Sequence, residues 1–239
     1  MEFKKIEFLD ESSDDFPLTF SDEPNGLIAI GSNLKVSTLI KAYRHGLFPW
    51  FEKWSAIMWY SPMVRCIIPK GNFKTSKTLK QKIRRRIFDV TADQAFAQVI
   101  GQCANVKRDH QLDTWIDNRM TAAYTALYKA GYAHSIEVWS EGQLAGGLYG
   151  VSLGKAFFGE SMFHLKSDAS KVALYYLCNW LDDLGFHFVD AQVTTDHLIS
   201  LGGIEITREE YIKQLHEALA FPDFTGRWTN EFKTYYAKQ

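Results

Sequence analysis

The chain contains little cysteine. Only three of its 239 residues are cysteines, Cys66, Cys103 and Cys178, and they lie far apart with no CxxC pair. An odd number at this wide spacing argues against a disulfide framework and a zinc ribbon, and it is typical of proteins in a reducing cytosol. We therefore predict a cytoplasmic protein that uses no metal and no other cofactor.

Long apolar runs are also absent. No stretch approaches the roughly 18 consecutive apolar residues that a membrane-spanning helix needs. Residues 1–15, MEFKKIEFLDESSDD, lack the apolar region of a signal peptide. We expect no membrane partner.

The formal net charge is only −1, but the charge is unevenly distributed. Residues 74–86 hold seven basic side chains and no acidic one, which leaves the rest of the chain at about −8. Four of the basic residues recur at helical spacing on one side: Lys77, Lys80, Arg84 and Arg85. Such a run is usually a solvated face, but a single-signed run in an acidic chain also suits a polyanionic partner.

Apolar and aromatic residues are plentiful. They make up 46% of the chain and include 17 Phe, 11 Tyr and 7 Trp, so the protein can bury a substantial core. The length suits one domain or two modest ones. Ser61-Pro62 is a plausible boundary, which gives a small N-terminal α/β domain over 1–63 and a second domain over 64–239.

The order of predicted elements indicates an α+β fold. A strand at 27–31 and a helix at 36–45 precede the boundary, and period-two alternation from 132 to 163 predicts a three-stranded antiparallel meander. A long helix over 168–184, with a serine cap, then leads to a strand near 188, which requires a parallel crossover. Mostly antiparallel strands around one such crossover outline a fold of the acetyl-CoA-dependent N-acetyltransferase (GNAT) type. We expect Asp93 and Asp117 to cap the two helices between these regions.

Three polar residues stand out within apolar strands. Asp190 and Gln192 follow the buried sequence FHFV and share one strand face with Phe188. Glu160 stands amid the aromatic sequence FFGESMF. Such groups are costly unless they are hydrogen-bonded, and a lone carboxylate there needs a partner or has a raised pKa. They are either satisfied structural groups or members of a functional site.

Seven motifs combine along the chain: GLFPWF (46–51), WYSP (59–62), HSIEVW (134–139), GGLYGV (146–151), FFGESMF (157–163), DAQV (190–193) and DHLISLGG (196–203). Over about residues 24–215 the chain thereby resembles the leucyl/phenylalanyl-tRNA–protein transferase family. The resemblance implies a monomeric enzyme that moves Leu, Phe or Met from aminoacyl-tRNA to the N-terminal Arg or Lys of a protein. The product would be an N-degron, which marks the protein for proteolysis.

The resemblance also implies binding residues. The positions that match the family's pocket for the amino-acid side chain are Leu148, Phe157, Leu174, Leu177 and Val189. Those assigned to the tRNA 3′ end are Tyr43, Trp50, Trp115 and Tyr124, with Trp50 as the stacking platform. Lys77, Lys80, Arg84 and Arg85 match the contact with the tRNA acceptor stem. Gln81 stands where the family often has a base.

The implied reaction is aminolysis of an ester, which needs a neutral amine and no covalent enzyme intermediate. The resemblance places Asp190 and Gln192 at its centre, with Gln192 contacting the amine and Asp190 orienting it, directly or through Gln192. Glu160 would attract the cationic acceptor. Proton removal then falls to Asp190, a water molecule or a ribose hydroxyl of the substrate.

Three other interpretations compete. An acetyl-CoA-dependent enzyme would need a glycine-rich loop before the long helix, where this chain has HLKSDASK. A non-enzymatic RNA-binding module would leave Asp190, Gln192 and Glu160 without a purpose. A metal site built from His187, Asp190 and His197 is disfavoured because His187 and Asp190 point to opposite faces of the strand.

Overall fold

The computed structural model describes residues 6–17, 20–21, 23, 25–105 and 116–239. A small sheet near the N-terminus contains four short strands, β1 (Glu7–Leu9), β2 (Leu27–Gly31), β3 (Phe48–Pro49) and β4 (Met58–Tyr60), in the order β1-β2-β4-β3. Helix α1 (Val36–Arg44) lies between β2 and β3. The chain leaves α1 through Gly46, which has φ +77° and whose Cβ would meet Ile212 at 2.5 Å. Only glycine fits this turn, because the backbone is left-handed and the space is filled.

The larger sheet contains seven strands. They are β5 (Val64–Pro69), β6 (Asp89–Ala92), β7 (Ala133–Ser140), β8 (Gln143–Leu153), β9 (Ala156–His164), β10 (Phe188–Gln192) and β11 (Ile204–Thr207). Their order is β11-β5-β10-β9-β8-β7-β6. Among the described strands of this larger sheet, only β9 and β10 pair in parallel, and the crossover helix α5 (Ala169–Asp183) connects them. The predicted α+β class, meander and crossover are confirmed; the GNAT type stays a prediction.

The remaining helices are α2 (Lys77–Arg84), α3 (Phe96–Asn105), α4 (Asn118–Lys129), α6 (Asp196–Ser200), α7 (Arg208–Leu219) and α8 (Thr229–Tyr236). Asp117 caps α4 as predicted, since its carboxylate accepts hydrogen bonds from the backbone N–H groups of Arg119 and Met120. Within the described ranges, no helix combines the length and the apolar character needed to cross a membrane.

Two predicted caps are wrong. Asp93 has φ +57°, and its carboxylate accepts from the N–H groups of Ser135 and Trp228 and from His134 instead of capping α3. The buried carboxylate of Glu137 accepts from Gln94 and Ala95, immediately before that helix. Asp168, not a serine, precedes α5 in a left-handed conformation. It makes no capping bond, because its carboxylate is paired with Lys82 and Lys171.

Apolar residues cover both faces of the larger sheet. On one face, α5 and α8 pack over a core that includes Leu148, Phe157 and Val189. On the other face, α1, α3, α4 and α7 pack over a core that continues into the small sheet through Tyr43 and Trp59. The segments on either side of the predicted boundary at residue 63 therefore share one hydrophobic core, and the boundary itself stays a prediction.

Candidate active site

The site lies where the two parallel strands part. β9 and β10 pair only from Ala156 to Phe158 and from Phe188 to Asp190, although both strands continue beyond these residues. Each strand also has a bulge close to these residues, β9 where it pairs with β8 and β10 where it pairs with β5. A bulge bends its strand and re-aims side chains. Glu160 and Gln192 each lie two residues beyond the last paired residue of their strand, at the opening between the strands.

A cavity of about 350 Å³ begins at this opening. Its apolar wall contains all five residues that the family pattern assigned to the amino-acid pocket: Leu148, Phe157, Leu174, Leu177 and Val189. They come from β8, β9, α5 and β10, so only the folded sheet and its crossover helix bring them together. The same cavity is lined by Glu160, Asp190 and Gln192. The arrangement is a mainly apolar pocket whose lining also contains polar side chains, among them these three.

Two tyrosines hold the Glu160 carboxylate. The Tyr43 hydroxyl donates to Oε1 and the Tyr124 hydroxyl to Oε2, each at 2.6 Å. The Gln192 amide approaches Oε1 at 3.4 Å. Burial raises the pKa of Glu160 to about 7, although both hydroxyls act in the opposite direction. The sequence-based expectation that this carboxylate has partners or a raised pKa is thus confirmed on both counts.

Asp190 lies in a different setting. Its buried carboxylate accepts from Arg65 Nε (2.9 Å) and Nη2 (2.7 Å), from the Tyr211 hydroxyl (2.7 Å) and from the Gln192 backbone N–H (2.9 Å). Arg65 is equally buried, and its guanidinium lies over the rings of Phe48 and Tyr211. The nearby Asp190 carboxylate raises the pKa of the Arg65 guanidinium, against the effect of burial. Arg65 and Asp190 therefore form a buried ion pair, and the Asp190 carboxylate also holds the backbone N–H of Gln192.

Gln192 has φ +57°, a conformation that a non-glycine residue adopts only when its surroundings hold it. The hydrogen bond from its backbone to Asp190 supplies that restraint and leaves the side-chain amide near Glu160. Arg65 and Tyr211 were not predicted from the sequence. An arginine within the apolar strand VRCIIP was a usable signal, since a buried cation calls for a buried anion. No feature of the sequence indicated that Tyr211 is a partner of Asp190.

The residues assigned to the tRNA 3′ end fall into three groups. Trp50 is 40% exposed and lies beside Tyr60, with ring centroids 5.8 Å apart, so its ring is available to a ligand. Tyr43 and Tyr124 are 0% exposed, and their rings pack on Phe158 and Tyr149. A base cannot stack on a fully buried ring, so these two tyrosines support Glu160 instead. Trp115 lies outside the described residues.

Helix α2 presents the basic face predicted from the sequence. Lys77, Lys80, Arg84 and Arg85 are exposed, while Leu79 on the opposite side is buried. In the part of the chain that the structure describes, no acidic side chain pairs with these four residues. Lys82 is not available in the same way, because its ammonium lies 2.6 Å from the Asp168 carboxylate.

The competing interpretations find little support in this geometry. The N-terminus of α5, where a coenzyme A pyrophosphate would bind, is bordered by the carboxylate of Asp168. The His187 ring packs against Phe221 with centroids 5.5 Å apart, on the face of β10 opposite to Asp190. Among the described residues, no three His, Cys, Asp or Glu side chains form a group that could hold a metal ion.

Comparison with known proteins identifies the family. Residues 67–216 match the family model described as leucyl/phenylalanyl-tRNA protein transferase, and residues 32–63 match the model of that family's N-terminal domain. A leucyl/phenylalanyl-tRNA–protein transferase of Maridesulfovibrio salexigens is 49% identical over 89% of this chain and 89% of the relative. One of Legionella pneumophila is 44% identical over 92% of this chain and 98% of the relative.

Among solved structures, L-PGS from Bacillus licheniformis is similar with a TM-score of 0.38 and 12% identity, over 83% of this chain and 65% of that chain. A similarity of that size does not decide the type of fold. The sequence relatives are decisive, since they match this chain over nearly its whole length. The chain therefore belongs to the leucyl/phenylalanyl-tRNA–protein transferase family, whose members are aminoacyltransferases acting on aminoacyl-tRNA and protein.

Proposed function

We propose that this enzyme transfers Leu or Phe, and also Met, from aminoacyl-tRNA to the N-terminal Arg or Lys of a protein. The transferred residue then forms an N-degron. The observation that carries the proposal is the cavity itself, in which an apolar wall built from five predicted residues leads to Glu160 and Gln192. Burying a Leu or Phe side chain in such a wall contributes about 1.5–3 kcal/mol, which favours these donors over small or polar ones.

The ester carbonyl of the donor then lies at the polar end of the cavity. Gln192 contacts the attacking amine through its side-chain amide, while Asp190 acts through Gln192 by fixing its backbone. Glu160 supplies negative charge that attracts a cationic N-terminus. An ester is already activated, so positioning and electrostatics are sufficient and no covalent enzyme intermediate is needed.

The RNA is held outside the cavity. The exposed Trp50 ring stacks on the terminal adenosine, which contributes about 1–3 kcal/mol. Lys77, Lys80, Arg84 and Arg85 on α2 contact phosphates of the acceptor stem. Phosphate contacts provide affinity without reading sequence. This suits an enzyme that accepts several tRNAs and selects the amino acid through its pocket.

The test is transfer of radiolabelled Phe from Phe-tRNA to peptides that differ only in a first residue of Arg, Lys or Ala. We expect labelling of the Arg and Lys peptides and little of the Ala peptide. Trp50→Ala should raise the KM for Phe-tRNA, whereas Trp54→Ala, at another exposed tryptophan of the same loop, serves as the matched control. Equal labelling of all three peptides would contradict the proposed acceptor, and no labelling would contradict the reaction.

A further inference from the structure

The proposed reaction requires a group that removes a proton from the acceptor. A peptide α-amine has a pKa of about 7.7–8.0 and is largely an ammonium ion at neutral pH. Only the neutral amine has the lone pair that attacks the ester. Two carboxylates line the cavity, Glu160 and Asp190, and their surroundings distinguish them.

Asp190 is unsuited to take the proton. Four donors already occupy its two oxygens, and two of these donors belong to the buried guanidinium of Arg65. Protonation would leave that cation buried without its counter-charge, which is strongly unfavourable. The arrangement pairs the Asp190 carboxylate with Arg65 and holds the backbone of Gln192 in place.

The hydrogen-bonding partners of Glu160 can accommodate one further proton on its carboxylate. The Tyr43 and Tyr124 hydroxyl oxygens are 2.5 Å apart, and each is 2.6 Å from a carboxylate oxygen of Glu160. These are three short contacts, but the two hydroxyls supply only two protons. A proton on Glu160 provides the third and closes a ring in which Glu160 donates to one tyrosine, that tyrosine to the other, and the second back to Glu160.

We propose that Glu160 is the group that accepts the proton from the acceptor ammonium, and that Tyr43 and Tyr124 are positioning residues that hold the carboxylate in both of its protonation states. The inference rests on the proposed function. Glu160 meets the geometric requirement because it lines the cavity beside Gln192, which is the amide proposed to contact the amine. The raised pKa of Glu160, about 7, suits a base that works near neutral pH.

The Glu160 carboxylate takes one proton from the ammonium, and the neutral amine attacks the ester carbonyl carbon to form the C–N bond. The C–O bond to the ribose breaks, and the surplus proton on nitrogen passes to the departing ribose oxygen. The products are a peptide bond and a free ribose hydroxyl, and Glu160 releases its proton to solvent after they leave.

Several charged or titratable groups face Glu160 from the packed elements. Tyr43 comes from α1, Tyr124 from α4, Asp190 from β10 and Arg65 from β5. Tyr149 of β8 and His197 of α6 line the same cavity. The negative charge of Asp190 and the positive charge of Arg65 act on Glu160 in opposite directions. The two tyrosine hydroxyls favour the ionised carboxylate by donating hydrogen bonds to it.

The experiment is the pH dependence of kcat/KM for transfer of Phe to an N-terminal Arg peptide. The wild-type rate should rise about tenfold per pH unit below neutrality and level off as Glu160 ionises. In Glu160→Gln this rising limb of the pH profile should move up to the pKa of the peptide amine itself, about 7.7–8.0, because only the ionisation of the amine then controls the rate. The rate at pH 7 should fall by about tenfold, since only about a tenth of the amine is neutral at that pH. The variant should approach the wild-type rate above pH 8, where the peptide amine is neutral by itself.

Two further variants separate this role from a structural one. Tyr124→Phe removes a donor to the carboxylate and should move the limb to higher pH, whereas a purely structural defect would lower the rate equally at every pH. Tyr43→Phe is the parallel variant. Asp190→Asn should keep the limb, moved to lower pH because the charge of Arg65 is no longer balanced.

The outcomes distinguish this inference from the proposed function. Wild-type transfer with an unchanged limb in Glu160→Gln, or a limb that moves up to the pKa of the peptide amine in Asp190→Asn alone, would overturn the role of Glu160 and leave the proposed function intact. Failure of the wild-type enzyme to label any peptide would overturn the proposed function, and the inference with it. Circular dichroism and the Tm of each variant check that the protein compared is folded.

Discussion

At the scale of single residues, Glu160 and Asp190 are carboxylates in one cavity whose neighbours give them different properties. Asp190 faces a buried arginine and stays part of an ion pair. Glu160 faces two neutral hydroxyls, so burial dominates and raises its pKa to about 7. Burial is the main influence on Glu160, whereas the main feature of Asp190 is its ion pair with Arg65.

The raised pKa of Glu160 predicts a pH-dependent cost in stability. A carboxyl with a higher pKa in the folded state binds its proton more tightly there. The contribution of this group to the free energy of unfolding is therefore fully present below its ordinary pKa of 4.5 and is lost as pH rises to about 7. Glu160→Gln removes the ionisation, so its Tm relative to wild type should be higher at pH 8 than at pH 4.5. At about 1.36 kcal/mol per pKa unit, the difference is on the order of 3 kcal/mol at most.

Thermal unfolding of both proteins at the two pH values measures this effect. Glu141→Gln, at an exposed carboxylate with φ +54°, is a control in which the difference from wild type should stay nearly constant. A Glu160→Gln curve parallel to wild type across this range would mean that the carboxyl has an ordinary pKa.

Leu148 is predicted to control which amino acid the cavity accepts. It is buried in the wall, so Leu148→Phe should reduce the space available and hinder Phe more than Leu. One methylene in an apolar pocket changes discrimination by roughly 10–200-fold, so we expect the ratio of kcat/KM for Leu-tRNA to that for Phe-tRNA to rise about tenfold. Leu165→Phe, at a leucine that is 62% exposed, is the control and should leave this ratio unchanged. An unchanged ratio in both variants would mean that Leu148 does not control which amino acid the cavity accepts.

At the scale of elements, the bulges in β9 and β10 create the opening between these two strands, which regular strands would close. Regular pairing would continue past Phe158 and Asp190 and close the sheet at the positions of Glu160 and Gln192. The parted strands open a path from the apolar cavity to these polar side chains. The elements themselves were largely predictable, because period-two alternation marks β7 to β9 and Gly46 marks the end of α1. The bulges were not, since their sequence signal is too weak to separate them from ordinary strand.

Helix α2 is predicted to bind RNA through charge alone. Neutralising Lys77, Lys80, Arg84 and Arg85 together should weaken binding of aminoacyl-tRNA. It should also reduce the slope of log Kd against log salt by about one for each phosphate that no longer meets a cation. The kcat at saturating aminoacyl-tRNA should change little, because none of these side chains lines the cavity.

The matched control neutralises four exposed lysines elsewhere: Lys129, Lys213, Lys233 and Lys238. Binding measured over a range of salt concentrations compares the two variants at the same net charge. An equal decrease in both would assign the effect to overall charge rather than to α2.

At the scale of the whole molecule, Arg65 joins parts that are distant in sequence. Its guanidinium contacts Asp190 of β10, Tyr211 of α7, the carbonyl of Gly46 and the ring of Phe48. Gly46 and Phe48 belong to the segment that leads to Trp50. One buried side chain therefore connects the proposed RNA-binding loop with the strand that holds Gln192.

Breaking this ion pair should be costly, and replacing both partners should not. Arg65→Met leaves the Asp190 charge buried and should lower the free energy of unfolding by about 3–5 kcal/mol. The double variant Arg65→Met with Asp190→Leu should recover most of that stability, because no buried charge remains. Transfer activity should stay low in the double variant, since the Gln192 backbone N–H then has no carboxylate to accept its hydrogen bond.

Denaturant unfolding and transfer assays on the same samples separate the two effects. Arg44→Met, at the partly exposed pair with Asp223, is the control and should cost less stability and leave transfer intact. Activity restored together with stability in the double variant would show that the pair contributes rigidity alone.

The sequence by itself determined the family, the α+β class, the basic face of α2 and the five apolar residues of the cavity. The α+β class and the basic face follow from local periodicity and spacing, and the five apolar residues from the family resemblance that the ordered motifs carry; none of these needs knowledge of distant contacts. Only the tertiary structure decided which partners each carboxylate has, because Arg65, Tyr43 and Tyr124 come from elements 36 to 125 residues away in the chain. It also showed that the rings of Tyr43 and Tyr124, which the family resemblance assigned to the tRNA 3′ end, are buried, because whether a ring is buried depends on what packs over it. The properties of an ionisable group are set by neighbours in space, and sequence patterns record mainly neighbours along the chain.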